Sequence, residues 1–290
     1  MRIVCATNLT PEQRADADAL IAACQGHDGI DPGLYQEAAS PAQDGGLSQF
    51  LCYEDGQLVG IFQISSWSEQ EIVGLVHPDC RRHGIGRALL ESVRRECLRR
   101  GRKTFLLVSE AASPSGSAFA EALGGRRTHS EYRLLLNPEQ VRPAPPRPQR
   151  LTVRRAFADD TETLVQLMAE SFGSEIEKCR GKIVAWLADP LQHFYIGMSD
   201  GNAIGIVRVN FWEKFACLNS FGVLPALQGK GYGRQILAGV IQNLLTEQWQ
   251  ILIEVESEND NALHLYLSSG FTPIATYHYY EVVCLAAVTC

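Results

Sequence analysis

The chain has 290 residues, 46% of them hydrophobic and 20% charged, and its 26 lysines and arginines against 33 acidic residues give a formal charge of −7. This is a globular texture that excludes a disordered, collagenous or low-complexity chain, and the acidic balance argues against a general nucleic-acid or anionic-membrane binder. At about 100–200 residues per domain, two domains, or one large one, are expected.

No apolar run approaches the ~20 residues of a membrane helix. The stretch Met1 to Asn8 has neither a long apolar core nor a small-residue cleavage site, so no secretory signal is read there. The nine cysteines form no C-x-x-C pair and do not share zinc spacing with the seven histidines. Reduced thiols in a cytoplasmic protein without a metal site are expected.

In chain order, Tyr53 to Ile61 reads as a strand, an Asp55-Gly56 turn and a second strand. Val76 to Arg87 (V-H-P-D-C-R-R-H-G-I-G-R) reads as a strand end, a glycine-bearing loop and a helix start. Phe105 to Val108 is a further strand, and Phe119 to Gly125 a short helix and turn. Arg142 to Pro148 holds four prolines in seven residues, an extended linker. Beyond it, Leu151–Arg155 reads as a strand, and Thr161–Ser171 and Ile176–Ala188 as helices. His193–Met198 and Ala203–Val209 form a hairpin about Asp200-Gly201, and Cys217–Leu224 is an apolar strand. Gly233–Thr246 is an amphipathic helix, Ile251–Val255 a buried strand, Ala262–Ser268 a short helix and Phe271–Val283 closing β structure.

The halves repeat. Tyr53 to Ile61 matches Met198 to Ile206 at an offset of 145 residues, and Val76 to Arg87 matches Val223 to Arg234 at 147. Matching order at near-constant offset indicates tandem duplication. The expected parts are residues 1–138, a linker at 139–150, and 151–290.

A strand, a short glycine loop and a long helix present backbone N–H groups and a positive helix end, an anion site suited to pyrophosphate. The spacing is neither that of dinucleotide-binding glycine fingerprints nor that of the P-loop. Two copies of V-x-P-x-x-Q/R-x-x-G-x-G, each after an apolar strand, resemble the coenzyme A pyrophosphate motif of the GNAT superfamily of N-acyltransferases. In the second half Asn259 to Phe271 also matches that family's N-x-x-A-x-x-L-Y-x-x-x-G-F element. The resemblance spans nearly the whole chain. It implies an α+β fold of two tandem domains, each a mixed, mostly antiparallel twisted sheet flanked by helices.

The resemblance implies that Gln228, Gly229, Lys230, Gly231, Tyr232 and Gly233 cradle the pyrophosphate of acetyl-CoA, with Arg234 near the phosphates. Phe221, Gly222 and Val223 would pair with the pantetheine arm, and Asn259 would face it. Tyr266 would return a proton to the leaving thiolate, since phenol and thiol pKa values lie close; the alternative is a helix residue with its ring in the core. Glu254 would be the base, or a strand-end carboxylate that is solvated or paired with Arg or Lys. Glu254, Glu256, Glu258 and Asp260 make the surroundings acidic, which suits a cationic acceptor or is a solvated face. Asn219 and Ser220 stand where some members carry a carboxylate.

The first half keeps Arg81, Gly84, Gly86 and Arg87 but places Leu107 where Glu254 stands and Ala120 where Tyr266 stands. It is expected to bind coenzyme A without catalysis, or to keep the glycines only for a tight turn. Phe172, Phe211, Trp212 and Phe215 line an acceptor pocket or cap the core, and Tyr277-His278-Tyr279-Tyr280 alternates two strand faces. The expected protein is an acetyl-CoA-dependent N-acetyltransferase acting on a primary amine of a small molecule or peptide, with no metal, nucleic acid or membrane partner. The rivals are a protein N-terminal amine as acceptor, and a non-catalytic coenzyme A binder.

Overall fold

The computed structural model describes residues 1–38, 46–65, 71–141 and 151–284. Most of the expected proline linker, residues 142–150, and Cys290 lie outside the described residues. The chain forms two compact units: Met1–Tyr132 with Ala275–Cys290, and Arg133–Ile274.

The first unit holds β1 (Arg2–Ala6), α1 (Pro11–Asp28), α2 (Pro32–Ala38), β2 (Gln49–Glu54), β3 (Gln57–Ile64), β4 (Glu71–Val76), α3 (Ile85–Arg99), β5 (Thr104–Glu110) and α4 (Pro114–Ala122). Strand β6 (Arg126–Leu136) begins in the first unit and ends in the second. The second unit continues with β7 (Leu151–Ala156), α5 (Thr161–Phe172), α6 (Ile176–Leu187), β8 (Gln192–Ser199), β9 (Asn202–Trp212) and β10 (Phe215–Val223). It closes with α7 (Tyr232–Thr246), β11 (Gln250–Glu256), α8 (Asp260–Ser268) and the start of β12 (Phe271–Val283).

Local chemistry explains the punctuation. Thr10 and Gln13 form a capping box at α1, Pro11 takes the first helical position, and Gly29 ends the helix at φ 72. Asp55 and Gly56 have φ 50 and 84, and Asp200 and Gly201 have φ 50 and 82. Both central residues at positive φ are what a two-residue hairpin turn needs to match strand twist.

Strand order is β1-β2-β3-β4-β5-β12-β6 around the first unit and β12-β6-β11-β10-β9-β8-β7 around the second. The pairs β1–β2, β2–β3, β3–β4, β5–β12, β7–β8, β8–β9 and β9–β10 are antiparallel, and β4 with β5 and β10 with β11 are parallel. Sequence reading takes Phe271–Val283 as closing structure of the second half. The register instead sets Tyr277–Val283 antiparallel to Glu110–Thr104, so these residues complete the first unit's sheet. Tyr277 and Tyr279 pack with the α1 and α2 side chains, and Tyr280, Val282 and Cys284 with those of α3 on the other face. The second unit's core under α5 and α6 is built from Leu164, Val165, Met168, Ile183, Phe194 and Ile206.

The two parallel pairs position the sites. In β4 and β5 the pairs are Glu71↔Leu106 and Ile72↔Leu107. In β10 and β11 the pairing ends at Leu218↔Ile253. Leu218 lies 147 residues beyond Glu71, as Ile253 does beyond Leu106, so the repeat seen in sequence is kept in register. Past these pairs no ladder joins the strands among the described residues, and backbone groups at their carboxyl ends are left to other partners. On β10 the register with β9 also breaks between Asn219 and Gly222, with Ser220 at φ 44.

Candidate functional site

In the second unit β10 ends at Val223 and runs through a 3-10 turn (Pro225–Leu227) to α7. Gln228 Nε2 donates to the Val223 carbonyl at 3.0 Å, fixing the loop to the strand it leaves. Gly229 and Gly231 have φ 70 and 78, a region L side chains adopt at a cost of about 1–2 kcal/mol. Gly231 caps α7 with no side chain, so no side chain competes for the N–H groups of the first turn. Lys230 is exposed, Tyr232 is buried, and Gly233 leaves ordinary van der Waals room against Phe221 and Leu265. A loop of positive-φ glycines before an uncapped helix fits a pyrophosphate.

Arg234, expected near the phosphates, is held within the protein. Its Nη2 donates to Ser268 Oγ at 2.6 Å and its Nη1 to the Ser268 carbonyl at 3.4 Å, tying α7 to the end of α8. Asn259 caps α8, its side-chain oxygen accepting from Ala262 N at 3.2 Å. Gly222 is required by close approach: a Cβ there would lie 2.6 Å from Ser171 Cβ and 3.1 Å from Phe172 Cζ.

Tyr266 is 6% exposed, its ring 6.4 Å from that of Phe221 and 6.0 Å from that of Phe271. Its hydroxyl has no hydrogen-bond partner among the described residues, and burial pushes the phenol up to about 12. The ring is therefore packed in the core, as the alternative reading expects, and the hydroxyl is uncommitted among the described residues.

Glu254 is paired. Arg133, from β6, places Nε and Nη2 each 2.8 Å from Glu254 Oε1. The Arg133 side chain is 1% exposed and that of Glu254 29%. Oε2 has no partner among the described residues. The pair predicts that Glu254→Ala costs about 1.5–3 kcal/mol, because it removes a charged hydrogen-bond acceptor from a buried guanidinium. Thermal or urea unfolding of the variant measures this, and an unchanged midpoint would refute it.

The first unit repeats the cradle. Gly84 caps α3 at φ 86 without a side-chain bond. Arg81 Nε donates to the Val76 carbonyl at 3.1 Å, as Gln228 does to Val223, while its Nη groups bind Asp28 at 3.0 and 2.5 Å. Gly84, Gly86, Arg87, Ser109, Ser115 and Phe119 line a cavity of about 430 Å³ beside Arg81. Ala120 is fully buried and Leu107 is 4% exposed. The cavity therefore keeps the anion loop and is lined by Leu107, while Ala120 is buried behind it in the core.

The aromatic expectations divide. Phe211 is 5% exposed, a core residue whose ring packs at tilted angles against those of His193 and Trp249. Trp212 and Phe215 face each other across β9 and β10, and Phe172 is exposed near Gly222. The Tyr277–Tyr280 run lies in the first unit, where His278 Nδ1 is 2.8 Å from the Ser130 hydroxyl and burial lowers its pKa. Sequence reading missed Arg133 and Arg208; an arginine inside an otherwise mostly apolar strand marks Arg208, whereas Arg133 follows a polar run and carries no such signal.

Family comparison agrees with this geometry in both units. Residues 161–271 match the model described as Acetyltransferase (GNAT) family, and residues 46–124 that described as Acetyltransferase (GNAT) domain. The chain belongs to the GNAT acetyltransferase family. A mycothiol acetyltransferase of Thermomonospora curvata is 28% identical over 94% of this chain and 95% of its own length. One from Kineococcus radiotolerans is 29% identical over 81% of each. Among solved structures, a GCN5-related N-acetyltransferase from Sphaerobacter thermophilus superposes with TM-score 0.78 at 20% identity, over 97% of this chain and 96% of that one. A tandem GNAT protein from the clavulanic acid biosynthesis pathway gives 0.73 at 15% identity, over 98% and 99%. These two likenesses show the tandem fold. The GNAT protein is an acetyl-CoA-dependent N-acetyltransferase. Among the described residues no helix is long and apolar enough to cross a membrane, and no group of three or more His, Cys, Asp or Glu is placed to hold a metal ion.

Proposed function

We propose that the second unit transfers acetyl to the primary amine of a small-molecule acceptor, and that the first unit binds coenzyme A without catalysing transfer. The observation that carries this reading is the contrast between two like cradles: at the matching position the second has the buried Tyr266, whose hydroxyl is uncommitted among the described residues, and the first has Ala120. When bound, acetyl-CoA supplies the thioester acyl group. The residues Gln228 to Gly233 hold its pyrophosphate through backbone N–H groups, and the strand end Phe221 to Val223 offers unladdered backbone groups to the pantetheine arm. A backbone N–H near Val223 polarises the thioester carbonyl. Glu254 Oε2 takes a proton from the acceptor ammonium, directly or through water, while Arg133 holds Oε1. Tyr266 supplies a proton to the departing sulfur.

The names of the relatives nominate a mycothiol-type amino-thiol as the first acceptor to try. The test is thiol release from acetyl-CoA across a panel of small amino-thiols, other primary amines and short peptides with free N-termini. Acetylation of small amines with weak peptide activity is expected. Peptide acetylation alone would turn the reading to protein N-termini. Tight acetyl-CoA binding with no turnover on any amine would leave the non-catalytic binder.

A further inference from the structure

Arg208 sits on β9 without a carboxylate. Its Nη1 donates to Gln192 Oε1 at 2.7 Å, and Gln192 Nε2 in turn donates to Asn210 Oδ1 at 2.7 Å. Its guanidinium carbon lies 4.2 Å from the Trp186 ring centroid, a cation–π stack. Its Nε is buried and has no hydrogen-bond partner among the described residues, and its Nη2 has none either. Burial lowers its pKa to about 10, and the other group that acts on it is Cys217, not an acid.

Elsewhere in this chain the same donor edge grips carboxylates. Arg99 gives Nε and Nη2 to Glu96 at 2.7 and 2.6 Å, and Arg133 gives both to Glu254. The Nε–Nη2 fork is the geometry that matches a carboxylate bidentately. Arg208 presents that fork with neutral amides and an indole around it. A half-buried cation lacking a counter-charge is costly, and such groups are retained where a ligand completes them.

Its position points to the acceptor. Arg208 stands opposite Asn219 in the β9–β10 register, at the residue where β10 leaves the ladder. Its side chain shares a strand face with Asn210 and Trp212, and it pairs across β8 with Phe194, which lies in the core under α5 and α6. Two more buried polar atoms without partners flank this region, Trp212 Nε1 and Ser171 Oγ, the latter beside Gly222. All three groups can donate a proton, and none has an acceptor oxygen supplied by the protein.

We propose that Arg208 anchors a carboxylate carried by the amine acceptor, making it the residue that selects amino-acid-like acceptors over simple amines. This deepens the acetyl-transfer reading and rests on it. Gln192 holds Nη1 and Trp186 holds the guanidinium plane, so the remaining fork is fixed in orientation.

The test compares matched amines that differ by one carboxylate, cysteine with cysteamine and tyrosine with tyramine, in wild type, Arg208→Met and Arg208→Lys. Wild type is expected to favour the carboxylate-bearing member at least tenfold in kcat/KM, mainly through the acceptor KM. Both variants are expected to bring the ratio near one, with the acetyl-CoA KM unchanged. Lysine keeps the charge beside Trp186 without the fork, so it decides the question if the methionine variant does not fold. Equal use of both members by wild type, or a preference that survives either variant, overturns the assignment. Absence of turnover on every amine overturns the acetyl-transfer reading and this subsite with it, whereas turnover without a carboxylate preference overturns the subsite alone.

Discussion

Tyr266→Phe is expected to lower kcat by at least ~100-fold while leaving the acetyl-CoA KM and the unfolding temperature nearly unchanged. The ring contacts to Phe221 and Phe271 survive the substitution, and the lost hydroxyl has no protein partner among the described residues to strand. The pH dependence gives a sharper readout. Burial raises the phenol to about 12, so it stays protonated across the range of about pH 6–10 in which the enzyme is assayed. The loss of rate is therefore expected to be the same at each pH, and any alkaline limb below about pH 10 belongs to another group. The sign on stability follows the same shift. A folded-state value above the unfolded value of about 10 means stability is full below pH 10 and falls as pH rises toward 12. The variant is expected to lose that alkaline decline. A rate within a few-fold of wild type would remove Tyr266 from the chemistry.

Gly231→Glu is the second large effect. The backbone at φ 78 disfavours any L residue, and the new carboxylate would face the N-terminal end of α7 where phosphate oxygens are to sit. Acetyl-CoA affinity at the second unit is expected to fall by ~100-fold or more, taking turnover at ordinary cofactor levels with it. The matched change Gly84→Glu, at φ 86 with open space around the added Cβ, strikes the first unit. It is expected to abolish a non-catalytic binding event and leave turnover intact. Calorimetric titration of the two variants separates the sites. Wild-type binding by a folded Gly231→Glu protein would refute the phosphate-loop assignment.

The site was legible wherever function is written in consecutive residues. The loop from Gln228 to Gly233, its copy at Arg81 to Gly86, and the run from Asn259 to Phe271 are local motifs, and local backbone chemistry dictates their geometry. The Asp-Gly hairpins were legible for the same reason. What sequence could not supply was pairing between distant residues. Nothing near Glu254 names Arg133, more than a hundred positions earlier, and nothing near Arg81 names Asp28 as the carboxylate that engages it. Nothing near Arg234 names Ser268, an ordinary helix residue until the fold brings it within 2.6 Å. Strand periodicity marked Phe271–Val283 as β structure but carries no information on which edge it joins. That choice belongs to tertiary packing, where Tyr277 and Tyr279 find the α1 side chains.

The register of that last strand bears on how the molecule is made. β5 is synthesised well before its neighbour at Tyr277–Val283, so the first unit has an open sheet edge along Thr104–Glu110 until that later strand has been made. Such an edge invites pairing with other chains. Loss of the residues from Ala275 onward is thus expected to harm the first unit, producing aggregation through an edge distant in sequence from the change.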